Sequence, residues 1–368
     1  MNPRKECWGA HLKPMALPPM PASPLVSVLI ANYNYARFLG QALDSVLGQT
    51  YKNFEIVVCD DGSTDGSRDV LGIYGQKFRQ LQVVLQENKG QSEAMLAAYK
   101  ASRGEIICFL DSDDIFLPCK LESMVEAFAN TPGAGLAVHR LSATDESLQT
   151  VRSIPALVGL VSGWKAPELS LKSPYMFSGM PPTSGLSLRR GIADRILPHL
   201  QGRKTFADSV IQVSAPIITL IVAIERPLSL YRVHGANSYS LRKFTDADIE
   251  RMSRVDAELW CAWRSFVMTI APALPADFPL PPEKGLYVMD YACARIRRDP
   301  NSKTVYRDVV SGPWFDALPR PHQWFWRSAV FLPDWLFEKS FNFVYGMGRA
   351  KQVISRVILW LRGHRETK

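Results

Sequence analysis

Four short apolar runs set the limits on what this chain can fold into. "VSVLIA" (26–31), "EIVVCD" (55–60), "LQVVLQ" (81–86) and "EIICFL" (105–110) are compact and rich in β-branched residues, the composition of buried strands. Helical stretches lie between and after them. In "ARFLGQALDSVLGQ", Phe38, Leu39, Ala42, Leu43, Val46 and Leu47 recur at helical spacing, and the patterns from 91 to 102 and in "KLESMVEAFAN" also read as helices. Strands that alternate with helices predict an α/β protein whose mostly parallel sheet is covered on both faces. In such sheets ligands sit beyond the carboxyl ends of the strands. Asp60, Asp61, Asp111 and Asp113 all fall at such ends.

The densest of these groups is "DSDD", Asp111 to Asp114, directly after the fourth run. Asp111 and Asp113 offer two carboxylates to a hard cation, and magnesium commonly binds one or two carboxylates together with substrate phosphates. An EF-hand loop would place Glu122 in its twelfth position, but Phe116 stands where that loop requires glycine. The other alternative is a solvated acidic turn. The first strand-to-helix turn, "ANYNYARF", carries no glycine fingerprint, and no G-x-x-x-x-G-K-[ST] occurs. These absences exclude a dinucleotide Rossmann site and a P-loop.

Residues 142–186 read as irregular and rich in Pro, Ser and Gly. A helix is expected around 208–220, followed by the strand-like "LIVAIERPLSLYRVH". From about 243 the pattern is helical and aromatic-rich, and it forms a C-terminal appendage. The opening 24 residues, with scattered prolines and no apolar core, read as a flexible tail and not as a signal peptide. The uncharged stretch 209–224 is too short to span a bilayer and contains Pro216, so no spanning helix is expected. Six cysteines without paired spacing fit a reducing compartment.

Several linked motifs, in order, resemble the family 2 glycosyltransferases: "VSVLIANYN", "FLGQALDSVLGQTYKNFEIVVCDDGSTD", "ENKGQSEAMLAAYKASRGEIICFLDSDD" and "RPLSLYRVHGAN". The resemblance covers about residues 25–238 and implies a GT-A-type, Rossmann-like domain over 25–240, with the helical region over 241–368. It implies an inverting enzyme that moves a sugar from a nucleotide diphosphate donor, UDP-linked by expectation, to a hydroxyl of a glycan or lipid-linked acceptor. By the same resemblance, Ala31 and Tyr33 line the nucleobase and Asp61 accepts a base N–H. Asp111 faces ribose and metal, with Ser112 beside it. Asp113 ligates a divalent metal, Mn or Mg, and His234 completes that site. Asp208 is the base that deprotonates the acceptor. Each position keeps a structural alternative: a core aromatic for Tyr33, a turn former for Asp61, a helix N-cap for Asp208 and a structural histidine for His234. Two departures stand out: Ala207 precedes a single Asp where the family often has two adjacent acids, and Met95 replaces a frequent Asn. The competing functions are a non-catalytic sugar-nucleotide-binding module on the same fold and a nucleotidyltransferase, although no glycine-rich basic phosphate loop accompanies the first strand.

The formal charge of +8 is concentrated at the end, where 349–368 carry six Lys or Arg against Glu366. On a helical wheel over 349–362, Val353, Ile354, Val357, Ile358, Trp360 and Leu361 share an arc that excludes Arg349, Lys351, Arg356 and Arg362. That pattern fits a helix lying on a membrane surface, or one packed on the protein. No nucleic-acid module accompanies the charge, so nucleic acid is not expected as a partner. The expected location is cytoplasmic, peripheral on the inner face of the membrane.

Overall fold

The computed structural model describes residues 12–151, 160–165, 180–234, 246–270, 288–311, 315 and 320–345. The expected tail helix at 349–362 lies outside the described residues. Contacts divide the chain into two units, with breaks after Val233 and between Glu258 and Leu259.

The first unit is built on an eight-stranded sheet. Its first four strands are those read from the sequence: β1 (Val26–Asn32), β2 (Phe54–Asp61), β3 (Leu81–Gln86) and β4 (Ile106–Asp111). They lie parallel in the order β3-β2-β1-β4. Helices α1 (Ala36–Leu47), α2 (Ser67–Lys77) and α3 (Gln91–Ala101) make the crossovers, and α4 (Lys120–Asn130) follows the acidic segment. Val26, Val28 and Ile30 join one buried cluster with Leu39, Leu43 and Val46 of α1 and Leu121 and Met124 of α4. Residues of opposite parity, such as Leu29, Val57 and Phe109, are also buried, and α3 packs against β1 and β2. Burial on both faces is why β1, β2 and β4 read as continuous apolar runs.

The sheet continues as β4-β7-β6-β8-β5, with β5 (Ile115–Phe116), β6 (Ala134–Thr144), β7 (Leu186–Arg189) and β8 (Leu220–Arg232). Strand β7 runs antiparallel to both β4 and β6, β8 is parallel to β6, and β5 is antiparallel to β8. Helices α5 (Arg190–Ile196) and α6 (Ala207–Ile218) fill the connection from β7 to β8. Residues 12–24 lie on this unit. The Met15 N–H donates to the Ile218 carbonyl at 2.7 Å, Arg189 donates to the Pro18 carbonyl, and Tyr51 Oη donates to the Pro24 carbonyl at 2.6 Å. The five described cysteines are free thiols.

In the second unit a buried aromatic cluster gathers Tyr291, Phe315, Phe325, Trp326, Phe337 and Phe341. It draws on α8 (Val288–Ile296), α10 (Arg320–Ala329) and α11 (Asp334–Tyr345), beside α9 (Ser302–Ser311); α7 (Asp246–Ile270) contributes residues to both units. An α/β sheet flanked by helices, with an aromatic helical C-terminal region, is therefore present.

One polar group is buried under the sheet without a carboxylate partner. Lys120 is fully buried, and its Nζ donates to Ser187 Oγ at 3.0 Å, which in turn donates to Cys108 Sγ at 3.3 Å. Burial pulls the Lys120 ammonium from 10.5 down to about 8. Burial, then the Lys120 charge, holds His139 well below its ordinary value. Because the folded state binds the Lys120 proton less tightly than the unfolded chain, this group costs stability most at pH below about 8. That cost shrinks as pH rises toward the unfolded value. Lys120→Met is therefore expected to be more stable than wild type at pH 7. The gap, read from urea midpoints, should narrow between about pH 8 and 10; a gap that stays constant with pH would refute this account.

Candidate active site

Parallel register brings the acids to one edge of the sheet. Ala31 at the end of β1 pairs with Cys59 on one side and Asp111 on the other, Asn32 pairs with Asp60, and Asp61 pairs with Gln86. The carboxyl ends of β1, β2 and β4 thus open on a common crevice, the usual ligand position of such sheets.

The two acids at the end of β2 have different partners. Asp60 is buried, and it accepts hydrogen bonds from Asn32 Nδ2 (2.9 Å), the Ser63 N–H (3.1 Å) and Arg68 Nε (3.0 Å). Burial alone would raise its carboxyl, but these donors hold it below the ordinary value. Asp61 is also buried, at 2% exposure, and organises the loop after β3. Its Oδ1 accepts Gln86 Nε2 at 2.7 Å and the Lys89 N–H at 2.8 Å, and its Oδ2 accepts the Gly90 N–H at 2.7 Å. Tyr33, one residue beyond β1, is 44% exposed. Gly62, Arg68, Leu85, Gln86, Glu87 and Asn88 line a cavity of about 430 Å³ alongside.

"DSDD" divides its labour by burial. Asp114 is fully buried, and both its oxygens are occupied: Ser184 Oγ donates to Oδ2 at 2.6 Å and the Arg232 N–H to Oδ1 at 3.0 Å. The same Ser184 hydroxyl accepts the Asp111 N–H at 3.1 Å. Arg232, 1% exposed, ties the segment to its surroundings. Its Nε donates to the Asp113 carbonyl (2.7 Å), Nη1 to the Glu146 carbonyl (2.7 Å) and Nη2 to Gln41 Oε1 (2.7 Å), and its guanidinium lies 4.5 Å from the centre of the Phe38 ring. Asp111 and Asp113 are half-buried and Ser112 is buried.

Burial, then the Asp113 and Asp208 charges, pushes the Asp111 carboxyl well above its ordinary value; burial and the Asp113 and Asp111 charges do the same to Asp114. Burial also raises Asp208. The same field acts on two tyrosines. Burial together with Asp113 and Asp111 lifts Tyr35 to about 12, and burial with Asp114, Asp111 and Asp113 raises Tyr231. Among the described residues no group of three or more His, Cys, Asp or Glu is arranged to hold a metal. A cation arriving with a diphosphate needs only one or two carboxylates from the protein. Asp111 and Asp113 provide hard oxygens in a pocket of excess negative charge, and the donor set fits such an ion.

Asp208 stands in the first turn of α6, where its carboxylate accepts the Ser209 N–H at 2.7 Å. The helix N-cap is Phe206, in the left-handed region at φ 66°, so Asp208 does not cap α6. The loop before it is fixed to the loop that Asp61 holds. Ser92 Oγ donates to the Thr205 carbonyl at 2.8 Å, Glu93 accepts the Gly202 N–H, and Gly90 at φ +97° lies against Lys204. Asp111 joins the same assembly through Gln91 Nε2 at 3.3 Å. Asp111, Asp113 and Asp208 thus lie close enough to feel one another's charge, and Asp61 is tied to the chain before Asp208 through residues 89–92. His234 is buried, two residues beyond β8, and begins the second unit. Tyr35, Gln91, Ser184, Tyr231 and Arg232 were not singled out by sequence, although all but Ser184 lie inside quoted segments.

A family described as "Glycosyl transferase family 2" matches residues 27–189. An uncharacterized glycosyltransferase of Nostoc sp. is 35% identical over 242 residues, 64% of this chain and 72% of that protein. A putative teichuronic acid biosynthesis glycosyltransferase of Bacillus subtilis is 39% identical over 104 residues, 28% of this chain and 41% of its own length. Among solved structures, S. aureus TarS in complex with UDP-GlcNAc aligns with 83% of this chain and 80% of its own at 16% identity and a TM-score of 0.48.

A Cβ at position 90 would stand 2.4 Å from the Lys204 carbonyl oxygen, in a backbone conformation that favours glycine. Gly90→Ala is expected to displace the 202–206 loop. Hydrogen–deuterium exchange should quicken across 200–210 in the variant; unchanged protection there would show that the two loops are not mechanically joined.

Proposed function

The chain belongs to glycosyl transferase family 2 and is a glycosyltransferase, and from this premise we infer that its acid-lined crevice moves a sugar from a nucleotide diphosphate donor to an acceptor hydroxyl with inversion. The observation that supports this reading is that Asp111, at the end of β4, feels the charges of both Asp113 and Asp208 of α6, with Asp61 at the neighbouring end of β2.

In this reading Tyr33 and Ala31 flank the nucleobase, and Asp61 accepts an imide N–H, such as that of uracil. Its Oδ2 carries one described hydrogen bond, and a carboxylate oxygen can accept a second. Asp111 and Ser112 face the ribose. Asp113 is the protein's ligand for Mg or Mn, with His234 assigned by resemblance alone; such a cation, when bound, would offset charge on the departing diphosphate.

Inversion needs a base on the face opposite the leaving group. Asp208 takes the proton of the acceptor hydroxyl, the freed oxygen pair forms the bond to the anomeric carbon, and the pair of the breaking C–O bond leaves on the diphosphate. A carboxylate whose proton affinity is raised by burial is a stronger base than an exposed one, which suits this step. The acceptor is a glycan or lipid-linked saccharide, and the protein works from the cytoplasmic side at a membrane surface. The basic sequence after residue 348 supports that location. Among the described residues no helix is long and apolar enough to cross a membrane.

Thermal-shift measurements with nucleotide sugars, with and without manganese, test the donor, since a ligand of the native state raises the midpoint by mass action. Asp208→Asn is expected to keep the donor-induced shift and lose about 100-fold or more in turnover. Asp113→Ala should lose the manganese-dependent part of the shift together with transfer. Because Asp208 must be ionised to act and its pKa is raised, wild-type turnover should fall with decreasing pH at values above those of an ordinary carboxylate. Full turnover in Asp208→Asn would end the base assignment.

A further inference from the structure

We propose that the outer face of the α10–α11 hairpin is a docking surface for anionic lipid bilayers, on which Trp324, Phe331 and Trp335 enter the interfacial layer. It deepens the reading that the protein works at a membrane surface and assigns the contact to particular residues. Trp324, Phe331 and Trp335 are 76%, 84% and 62% exposed, more than any other large hydrophobic residue among those described. They lie within twelve residues of one another.

The hairpin does not lack a core. Phe325, Trp326 and Ala329 of α10 and Phe337 and Phe341 of α11 are buried in the aromatic cluster. Arg295 fastens the turn from within: it donates to the Ala329 and Leu332 carbonyls and to Asp334 Oδ1 at 3.2 Å, and it stacks 4.5 Å from the Phe337 centroid. The exposed rings are therefore left outside a packed motif whose inner face is already filled.

Cations accompany the rings. Arg320, Trp324 and Arg327 follow one another at spacings of four and three, which keeps them on one side of α10, and all three are exposed. The same step leads on to Phe331 in the turn. On α11, Lys339 stands one turn after Trp335, with its Nζ 5.4 Å from the ring centroid. Asp334, immediately before Trp335, is paired with Arg295, and by sequence Glu338 is the one acid between Trp335 and Lys339. Indole rings that seek the headgroup layer, interleaved with cations that meet lipid phosphate, are the pattern of an interfacial anchor. The sequence that follows α11, residues 346–368, adds six Lys or Arg against one Glu. A second copy of the chain would bring the same positive face to this one, so charge complementarity favours an anionic surface.

The test uses the full chain in flotation with vesicles of phosphatidylcholine, alone or mixed with phosphatidylglycerol. Wild type is expected to float with the mixed vesicles. The W324S/F331S/W335S variant should bind them about tenfold or more weakly, with circular dichroism and solution donor hydrolysis unchanged. R320Q/R327Q/K339Q should lose the preference for phosphatidylglycerol and much of the salt sensitivity. If the aromatic variant floats as well as wild type, this surface is not the lipid contact, although the membrane reading stands. If wild type floats with neither vesicle, both fall. A change in molar mass by light scattering without a change in flotation would assign the face to a second copy instead and overturn the proposal.

Discussion

The site depends on one buried carboxylate, Asp114, and on the arginine that answers it. Asp114 has no exposed surface, and both its oxygens are satisfied, by the Ser184 hydroxyl and the Arg232 N–H. An unpaired charge there would be severely destabilising. The satisfaction comes from far along the chain, so "DSDD" takes its shape only when β7, β8 and β4 are assembled. Arg232 then spreads its guanidinium over the Asp113 carbonyl, the Glu146 carbonyl and Gln41. The inward acid is an anchor, and the two half-buried acids before it, Asp111 and Asp113, are held at the crevice by that anchor. Burial, with the Asp113 and Asp208 charges added to it, raises the Asp111 carboxyl, and a bound cation would offset that crowding of charge.

The sheet explains how one chain holds these groups together. Its parallel half places strand ends side by side in register, so Ala31, Asp60 and Asp111 need no loop to position them. Its other half, where β7 is antiparallel to β4 and β6, returns the chain from the far side. Ser184 and Asp208 enter by that return, and the left-handed Phe206 turns the chain into α6 just before Asp208.

The parallel half was legible because β1, β2 and β4 are buried on both faces and helices separate the strands; β1 to β4, α1, α3, α4 and α6 all follow the sequence pattern, although the edge strand β3 is only partly covered. Strand β7, "LSLR", was not legible. It is four residues long in a stretch of Pro, Ser and Gly, and its pairing with β4 and β6 is a tertiary effect that no local pattern encodes. Strand β6 mixes small residues with a buried His139 and a half-exposed Arg140, which blurs any alternation. Helix α2 carries Gly72 and Gly75 inside it, and glycine weakens a helical pattern. In the site, the acids were visible because carboxylates at strand ends are conspicuous. Ser184 and Arg232 were not, because each acquires meaning only from the buried oxygen it meets.

Asp61 is the residue whose environment reaches furthest. Its carboxylate holds the amides of Lys89 and Gly90, and the loop they belong to is fastened to the strand of chain that leads into Asp208. If the base of a donor is read at Asp61, recognition and chemistry share a single piece of backbone. Under those roles a mismatched nucleotide would be discriminated against in the rate of transfer and not in occupancy alone, so competitors that bind well would still be poor donors.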